Sequence, residues 1–302
     1  MLADLTVAVI NYQTPKELAV CLERLLPHSH GARVIVVDTG DVQPLPDGWL
    51  PDGVELLRVA NRGYAAAVNA ALAACQTEFF VHMNADAFVS PTTLPDLLTV
   101  LDADPTCAMA GPLVTDVDGR LQDQGLPYRW WQWRAVSGGW RLAAGRTGRS
   151  LGSVSVPWLS GCLQAVRMSA VSKVGAMDES QRFTNEETDW CLRFARAGWT
   201  CRLVDTGLLH LGGTSTPSHP AFMIEGLRGS MVVSNRYAPV WRAELQRYVV
   251  WAWATFASFW AVRPRFRAAA QDVQRMFRER AFDEPVFGET LAARLLPRST
   301  GD

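Results

Sequence analysis

Two oxygen-bearing side chains, those of Asn84 and Asp86, directly follow an apolar run in the stretch EFFVHMNADAF at residues 78–88. Mg²⁺ and Mn²⁺ are commonly held by one or two carboxylates together with the phosphates of a substrate. Asn and Asp are also frequent in turns, because their side chains bond the nearby backbone. Taken alone, the stretch therefore fits either a metal site or an ordinary turn.

Further polar residues stand in the same kind of position, at the end of an apolar run. Asn11 and Asp38 follow the first two runs, and Asn61 with Gly63 follows the third and precedes a helical pattern. Ligands of open parallel sheets bind beyond the carboxyl ends of the strands, so the recurrence predicts one site at that edge. Asn61 either precedes a helix N-terminus that faces a phosphate or is simply an N-cap.

Three acids lie close together in NEETDW, residues 185–190. Glu187 is a candidate general base, and Asp189 is a candidate to hold a substrate hydroxyl. Two structural explanations fit the same spacing. They are a capping box from Thr184 to Glu187 and an i,i+4 ion pair from Asp189 to Arg193.

His210 follows another predicted strand, in LLHLGGTST. It is a candidate metal or phosphate ligand, although a lone His near glycines is also an ordinary loop residue. No GxGxxG follows the first strand, which disfavours a dinucleotide site.

Apolar runs alternate with helical patterns through the first part of the chain, which predicts βαβ units and a parallel, doubly wound α/β sheet. The predicted strands are 5–10, 32–40, 54–59, 78–83, 160–167 and 200–207, and the predicted helices include 14–27, 60–75, 90–103 and 183–199. Thr14 is expected to cap the first helix, with a capping box to Glu17. A hairpin turn is expected at Asp118-Gly119, and helices are expected from residue 222 onward.

The composition narrows the class of protein. The 302 residues suit one large domain, or one domain with an appendage, and a net charge of -1 gives no argument for nucleic-acid binding. Six cysteines stand without a CxxC pair, so neither a zinc site nor a disulfide framework is indicated, and a cytoplasmic protein with reduced thiols is expected. MLADLTVAVINYQ lacks the features of a signal peptide.

Several segments over about residues 5–215 carry a resemblance: VAVINYQTPKELAVCLERLL, VIVVDTGD, ANRGYAAAVNAAL, MNADAF, WLSGCLQAVRMSAVSKVGAMDE, NEETDWCLRFARAGW and LLHLGGTST. Together they resemble the inverting glycosyltransferases of family 2, and most closely the bacterial rhamnosyltransferase-like branch. The resemblance implies the GT-A fold, a Rossmann-like, mostly parallel sheet flanked by helices, with a C-terminal helical extension. It implies a glycosyltransferase domain at 1–215, with a nucleotide-sugar half at about 1–115 and an acceptor half at about 116–215, and a helical region at 216–302.

The resemblance also implies residue roles. Asp86 becomes the principal metal ligand, with Asn84 and His210 as further metal or phosphate ligands. The implied nucleotide-sugar-binding residues are Asn11, Asp38, Asn61, Gly63, Asn69, Asn84 and Asp86, and the implied acceptor-binding residues are Trp158, Ser160 and Gly161. Glu187 stands where the family usually has an Asp as catalytic base, so the base is Glu187, Glu186 or Asp189.

The implied reaction is transfer, with inversion, of a sugar from a nucleoside-diphosphate sugar to a hydroxyl of a glycan or lipid-linked acceptor in cell-surface polysaccharide synthesis. The cofactor is Mg²⁺ or Mn²⁺, and dTDP-rhamnose is the leading donor. One alternative is a sugar-nucleotide nucleotidyltransferase, which NYQTPKE disfavours because that class needs a Gly-rich basic loop after strand one. The other is a non-catalytic nucleotide-sugar binding module.

The stretch YVVWAWATFASFWAV, residues 248–262, is uncharged and is followed by RPRFR. It is shorter than the roughly 20 apolar residues that a spanning helix needs. A buried or dimer-forming helix and an in-plane helix at the inner face of the cell membrane both fit. The Trp-rich loop at 129–140 is a candidate sugar platform or lid, or a patch that packs on the C-terminal helix.

Overall fold

The computed structural model describes residues 2–40, 44–122, 152–181, 184–212, 220–260 and 264–279 of the 302-residue chain. The Trp-rich loop at 129–140 lies outside these residues. The chain divides into two compact units, one of residues 1–177 with 187–215 and one of residues 178–186 with 216–302. The expected boundary at residue 215 between separate domains stays a prediction.

One sheet organises the first unit, and nine strands form it within the described ranges. The strands are β1 (Leu5–Asn11), β2 (Arg33–Asp38), β3 (Val54–Arg58), β4 (Phe79–Asn84), β5 (Ala87–Val89), β6 (Cys107–Thr115), β7 (Ser153–Val156), β8 (Leu163–Arg167) and β9 (Thr200–His210). Their order across the sheet is β3-β2-β1-β4-β8-β6-β9-β5, and β7 pairs with β9.

Strand directions divide this sheet into two parts. β1 to β4 pair in parallel, as the alternation of strands and helices predicts. Beyond β4 the directions are mixed, because β8 runs antiparallel to both β4 and β6, while β9 is parallel to β6 and antiparallel to β5 and β7. The expected α/β sheet flanked by helices is confirmed, and the parallel winding holds for its first four strands.

Helices cover both faces of the sheet: α1 (Pro15–Leu25), α2 (Tyr64–Ala74), α3 (Thr93–Ala103), α4 (Met168–Val174) and α5 (Glu186–Arg196). Side chains of β1 alternate between two cores. Leu5, Val7 and Val9 pack in the core that contains α1 and α3, whereas Ala8 and Ile10 pack in the core that contains α2 and α5. Burial on both faces explains why β1 reads as a continuous apolar run instead of an alternating one.

The capping box expected at the first helix does not form. Pro15 does occupy the first turn of α1, but the Thr14 side chain makes no capping bond. Its hydroxyl instead donates to Asn11 Oδ1 at 3.1 Å. The competing acceptor lies at the end of β1, so the Thr14 side chain ties the strand end to the start of the helix.

The expected hairpin at Asp118-Gly119 is confirmed. Gly119 has a φ of +76°, which favours glycine, and Asp116 N donates to Arg120 O at 2.9 Å. The returning chain lies beside β6, where Gln122 N donates to Val114 O at 2.9 Å. The hairpin therefore brings Gln122 back to the end of the sheet.

The second unit contains α6 (Pro220–Tyr237), α7 (Val240–Trp260) and α8 (Pro264–Glu279), in agreement with the helices expected from residue 222. A buried ion pair joins Arg228 to Glu225, and Arg228 also donates to Ser180 O at 2.7 Å. Asn185 Nδ2 donates to Gly226 O at 3.2 Å. These bonds fasten the segment 178–186 to α6. Within the described ranges, no helix has the length and hydrophobicity that crossing a bilayer requires.

Candidate functional site

The candidate metal ligands lie together at the end of β4. His210 Nε2 lies 3.3 Å from Asp86 Oδ1 and 3.2 Å from Asn84 Nδ2. Strand pairing holds this arrangement, because Ala87 of β5 pairs with His210 and Leu211 N donates to Asp86 O at 3.1 Å. Asp86 is only 5% exposed, so protein shields its carboxylate from bulk water.

Gln122, which no sequence motif singles out, contacts His210 on the side of the ring opposite Asp86. Its Oε1 lies 2.8 Å from His210 Nδ1, and its Nε2 donates to His210 O at 2.8 Å. The two residues are 88 positions apart in the chain. A single Gln after a hairpin is common, so only the pairing of β6 with β9 identifies the contact.

Two buried thiols lie near the Asp86 carboxylate. Burial, with a smaller contribution from the charge of Asp86, raises the pKa of Cys21 to about 12. Burial also raises the pKa of Cys162 to about 12, and Asp86 again adds to the rise. Both thiols stay protonated at neutral pH, so neither serves as a thiolate ligand or a nucleophile.

Asn11 and Asp38 face each other at the ends of β1 and β2. Asn11 Nδ2 donates to Asp38 Oδ1 at 2.9 Å, and Leu45 N donates to Asp38 Oδ2 at 2.8 Å. The buried Asp38 carboxylate thus orders the chain that follows β2. A cavity of about 370 Å³ opens beside it, lined also by Gly40, Pro44, Arg58, Val59 and Ala60.

The helix start after β3 is organised differently from the expectation. Asn61 Oδ1 accepts a bond from Gly63 N at 3.2 Å, and α2 begins at Tyr64 with Gly63 as its N-cap. The N-cap of α2 is therefore Gly63 and not Asn61. The φ of Gly63 is +103°, a value that favours glycine. Asn69 bonds both backbone groups of Met177, at 2.9 and 3.0 Å. Its amide ties α2 to the chain after α4, so these bonds do not bring it into the strand-end group.

Gly161 and Glu187, predicted for the acceptor side and for catalysis, lie in contact. A Cβ added to Gly161 would lie 3.5 Å from Glu187 Cβ and Cγ and 3.7 Å from its Cδ. The Tyr64 hydroxyl donates to Gly161 O at 2.9 Å, which holds this turn in place. The Ser160 hydroxyl donates to Cys162 Sγ at 3.3 Å. These are ordinary van der Waals distances, so the Glu187 side chain lies directly beside the turn at Gly161.

Backbone pairing joins these groups along one edge of the sheet. Asn84 N donates to Cys162 O at 2.9 Å, so the end of β4 lies beside the turn that contains Gly161. On the other side of β4, Asn84 pairs with Ile10, and the next residue, Asn11, pairs with Asp38. The structure therefore brings the metal candidates, the Asn11–Asp38 pair and the Gly161–Glu187 contact to the same edge.

Three further predicted residues have other surroundings. Asp189 is fully buried and accepts a bond from Arg193 Nε at 2.8 Å, which confirms the i,i+4 ion pair. Arg193 also donates to the backbone carbonyls of Val174, at the end of α4, and Ala176, so Asp189 anchors a structural network. Glu186 is 5% exposed and begins α5, which leaves Thr184 outside the N-cap position of the capping box. Trp158 is half-buried against the core on the α2 side.

Comparisons with known proteins identify the family of the chain and its fold. The model of the family described as Glycosyl transferase family 2 matches residues 6–175. N-acetylglucosaminyl-diphospho-decaprenol L-rhamnosyltransferase of Mycobacterium tuberculosis is 26% identical over 273 residues, which cover 80% of this chain and 88% of that protein. Pre-mycofactocin glycosyltransferase of the same organism is 31% identical over 182 residues, which cover 59% of this chain and 37% of that protein.

Among solved structures, the fold is similar to that of the mannosyltransferase PcManGT from Pyrobaculum calidifontis, solved in complex with GDP-Man and Mn²⁺. The TM-score is 0.55 at 18% identity, over 93% of this chain and 83% of that chain. At this identity the likeness shows the fold alone. Because the family model spans more than half of the sequence, the chain belongs to glycosyl transferase family 2 and is a glycosyltransferase with the GT-A fold.

Proposed function

We propose that this glycosyltransferase moves a hexose, with inversion, from a nucleoside-diphosphate sugar to a hydroxyl of a glycan or lipid-linked acceptor. The observation that carries the proposal is the placement of Glu187 against Gly161, at the edge of the sheet that also holds Asn84, Asp86 and His210. The reaction needs a carboxylate beside the acceptor hydroxyl. It also needs oxygen ligands for a cation that binds the diphosphate.

Glu187 is the proposed general base, which takes the proton of the acceptor hydroxyl as that oxygen attacks the sugar. Its side chain lies beside the turn at Gly161, whereas the Asp189 carboxylate is buried in an ion pair with Arg193. Because Asp189 is fully buried, its carboxylate is closed to an acceptor hydroxyl that enters from solvent. The geometry therefore favours Glu187 over Asp189.

Asn84, Asp86 and His210 fit a divalent cation such as Mg²⁺ or Mn²⁺. They offer an amide, a carboxylate and an imidazole with contacts of 3.2 and 3.3 Å among them. Among the described residues, no three His, Cys, Asp or Glu side chains form a metal-binding group, so the donor's phosphates would complete the ligand set. When bound, the cation would neutralise the charge that develops on the leaving diphosphate.

The proposed donor is dTDP-rhamnose and the proposed acceptor is a lipid-linked sugar. Support comes from the similarity to N-acetylglucosaminyl-diphospho-decaprenol L-rhamnosyltransferase over 88% of that protein. The nucleotidyltransferase alternative is not favoured, because the family model that matches is that of glycosyl transferases.

A screen of nucleotide sugars, each with and without Mn²⁺, tests this proposal. We expect dTDP-rhamnose to raise the melting temperature most, and only in the presence of Mn²⁺, because ligands that bind the folded state stabilise it. With an acceptor present, the product should be a nucleoside diphosphate. Release of pyrophosphate would indicate a nucleotidyltransferase, and binding without any product would indicate a non-catalytic module.

We further propose that α7 contacts the surface of an anionic membrane. One side of this helix carries Trp241, Leu245, Tyr248, Phe256 and Phe259, which are 52% to 72% exposed. Successive members of this set are three, four or eight residues apart, which places them on one face of the helix. The buried residues Ala243, Val250 and Ala254 lie on the opposite side, so α7 is apolar on both faces.

The positive charge of residues 240–279 favours an anionic membrane over other partners for the exposed face of α7. Residues 240–279 contain seven Arg against three Asp or Glu, a net of +4, in a chain whose net charge is -1. Aromatic residues beside cationic ones suit the head-group region of an anionic bilayer. A lipid-linked acceptor would reside in the same bilayer.

Vesicle flotation tests this contact. We expect the protein to float with anionic vesicles and to be released by salt, because salt screens the Arg charges. Replacing Trp241, Phe256 and Phe259 together by Ala should weaken binding by about tenfold or more through lost apolar burial. Val117→Ala, which changes another exposed apolar residue, should have no effect. If this face instead joins copies of the chain, the molecular mass in solution would rise with protein concentration, and the triple variant would lose that rise. The proposal of a membrane contact would then be wrong.

A further inference from the structure

The side-chain amide of Gln122 meets His210 at two points. Its Nε2 lies 2.8 Å from the His210 backbone oxygen, and its Oε1 lies 2.8 Å from His210 Nδ1. A backbone carbonyl only accepts hydrogen bonds, so the NH₂ end of the amide must face it. The Gln122 oxygen must therefore face the imidazole ring.

This orientation determines where the ring proton lies. An amide oxygen only accepts, so His210 Nδ1 carries a hydrogen and donates it to Gln122. In a neutral imidazole the other nitrogen, Nε2, then presents a lone pair. That lone pair faces Asp86 Oδ1 at 3.3 Å, and the Asn84 amide lies 3.2 Å away.

The Asn84 amide nitrogen donates toward this lone pair, and a divalent cation beside the Asp86 carboxylate would take the same lone pair in its place. We propose that Gln122 is a positioning residue, which holds His210 in the tautomer that ligates a divalent cation beside Asp86. This inference rests on the function proposed above. It also separates two roles considered for His210, because a neutral Nε2 with a lone pair binds a cation and cannot donate to a phosphate.

Two substitutions of Gln122 separate positioning of the ring from simple anchoring of the strand. Gln122→Glu keeps an oxygen that accepts the Nδ1 hydrogen but loses the donor to the His210 carbonyl. Gln122→Met has a similar length and loses both bonds. If the hydrogen-bond acceptor for Nδ1 matters, Gln122→Glu keeps Mn²⁺ binding and Gln122→Met loses it. If the hydrogen-bond donor to the His210 carbonyl matters, both variants lose Mn²⁺ binding.

The measurement is Mn²⁺ affinity in the presence of a nucleoside diphosphate, followed by electron paramagnetic resonance. We expect Gln122→Met to weaken Mn²⁺ binding by about tenfold to a hundredfold, as loss of a partner behind a ligating His does. Gln122→Glu should stay within about threefold of the unaltered protein. Arg120→Met, an exposed change in the same hairpin, is the matched control and should leave the affinity unchanged.

The outcomes distinguish the two proposals. If the unaltered protein binds no Mn²⁺ with any nucleoside diphosphate, the proposed metal-dependent function is wrong. If it binds Mn²⁺ and Gln122→Met binds equally well, the function stands and the role of Gln122 is wrong. If both Gln122 variants weaken binding to the same degree, the residue acts only as an anchor of the strand. Melting temperatures close to that of the unaltered protein would show that the folds are comparable.

Discussion

Replacing Asp86 by Ala is expected to lower sugar transfer by about a thousandfold or more, since the charged ligand at the end of β4 would be lost. Asp86 is 5% exposed and lies 3.3 Å from His210 Nε2, so its carboxylate brings negative charge to the corner proposed for the cation. The measurement is the initial rate of nucleoside diphosphate release with donor, acceptor and Mn²⁺. Asp86→Asn, which keeps the shape, should show most of the same loss.

Two controls accompany the Asp86 variants. Asp52→Ala changes an exposed Asp in the loop before β3 and should leave the rate unchanged. Circular dichroism should show the same fold in all variants. Full activity of Asp86→Ala, or of the unaltered protein in excess chelator, would contradict the assignment of a metal to this corner.

Replacing Glu187 by Gln is expected to lower kcat by about a hundredfold or more, which is typical of losing a positioned base. The amide still fits beside Gly161 and still binds a hydroxyl, but it cannot take the proton. Donor affinity should change little, because the cation that binds the diphosphate is proposed to be held by Asn84, Asp86 and His210 and not by Glu187. Single-turnover rates with saturating donor and acceptor, compared with donor binding alone, give the required separation.

Parallel variants of the neighbouring acids complete this experiment. Asp189→Asn should mainly lower the melting temperature, because Arg193 would lose a buried charged partner. Glu186→Gln should retain most of the transfer activity. A large loss of kcat in Glu186→Gln together with an active Glu187→Gln would mean that the base is Glu186.

Local sequence patterns predict six of the nine strands in the described residues, together with the helices and the strand-end candidates, but they do not predict β5, β6 or β7. A strand buried on both faces reads as an apolar run, and polar residues just after it lie at the edge of the sheet. Asn11, Asp38, Asn84 and Asp86 were found in this way, and the structure places all four at that edge. The hairpin at Asp118-Gly119 followed from its turn residues for the same local reason.

Side-chain partners could not be predicted, because several acceptors compete for each donor and most of them are distant in the chain. Thr14 fitted a capping box, but its hydroxyl bonds Asn11. The Asn69 amide bonds Met177 across 108 positions, a partner that the sequence does not indicate. The sequence alone therefore determined the α/β fold, the family resemblance and the set of oxygen-bearing residues at the strand ends.

Only the tertiary structure decided which of these residues act together. Pairing of β5 with β9 brings His210 to Asp86, and the hairpin after β6 brings Gln122 to His210. Tertiary packing places the Glu187 side chain beside the turn at Gly161, whereas the Asp189 carboxylate forms a buried ion pair with Arg193. The physical reason is that spacing along a chain fixes which face a residue occupies, while its neighbour on that face comes from another strand or helix.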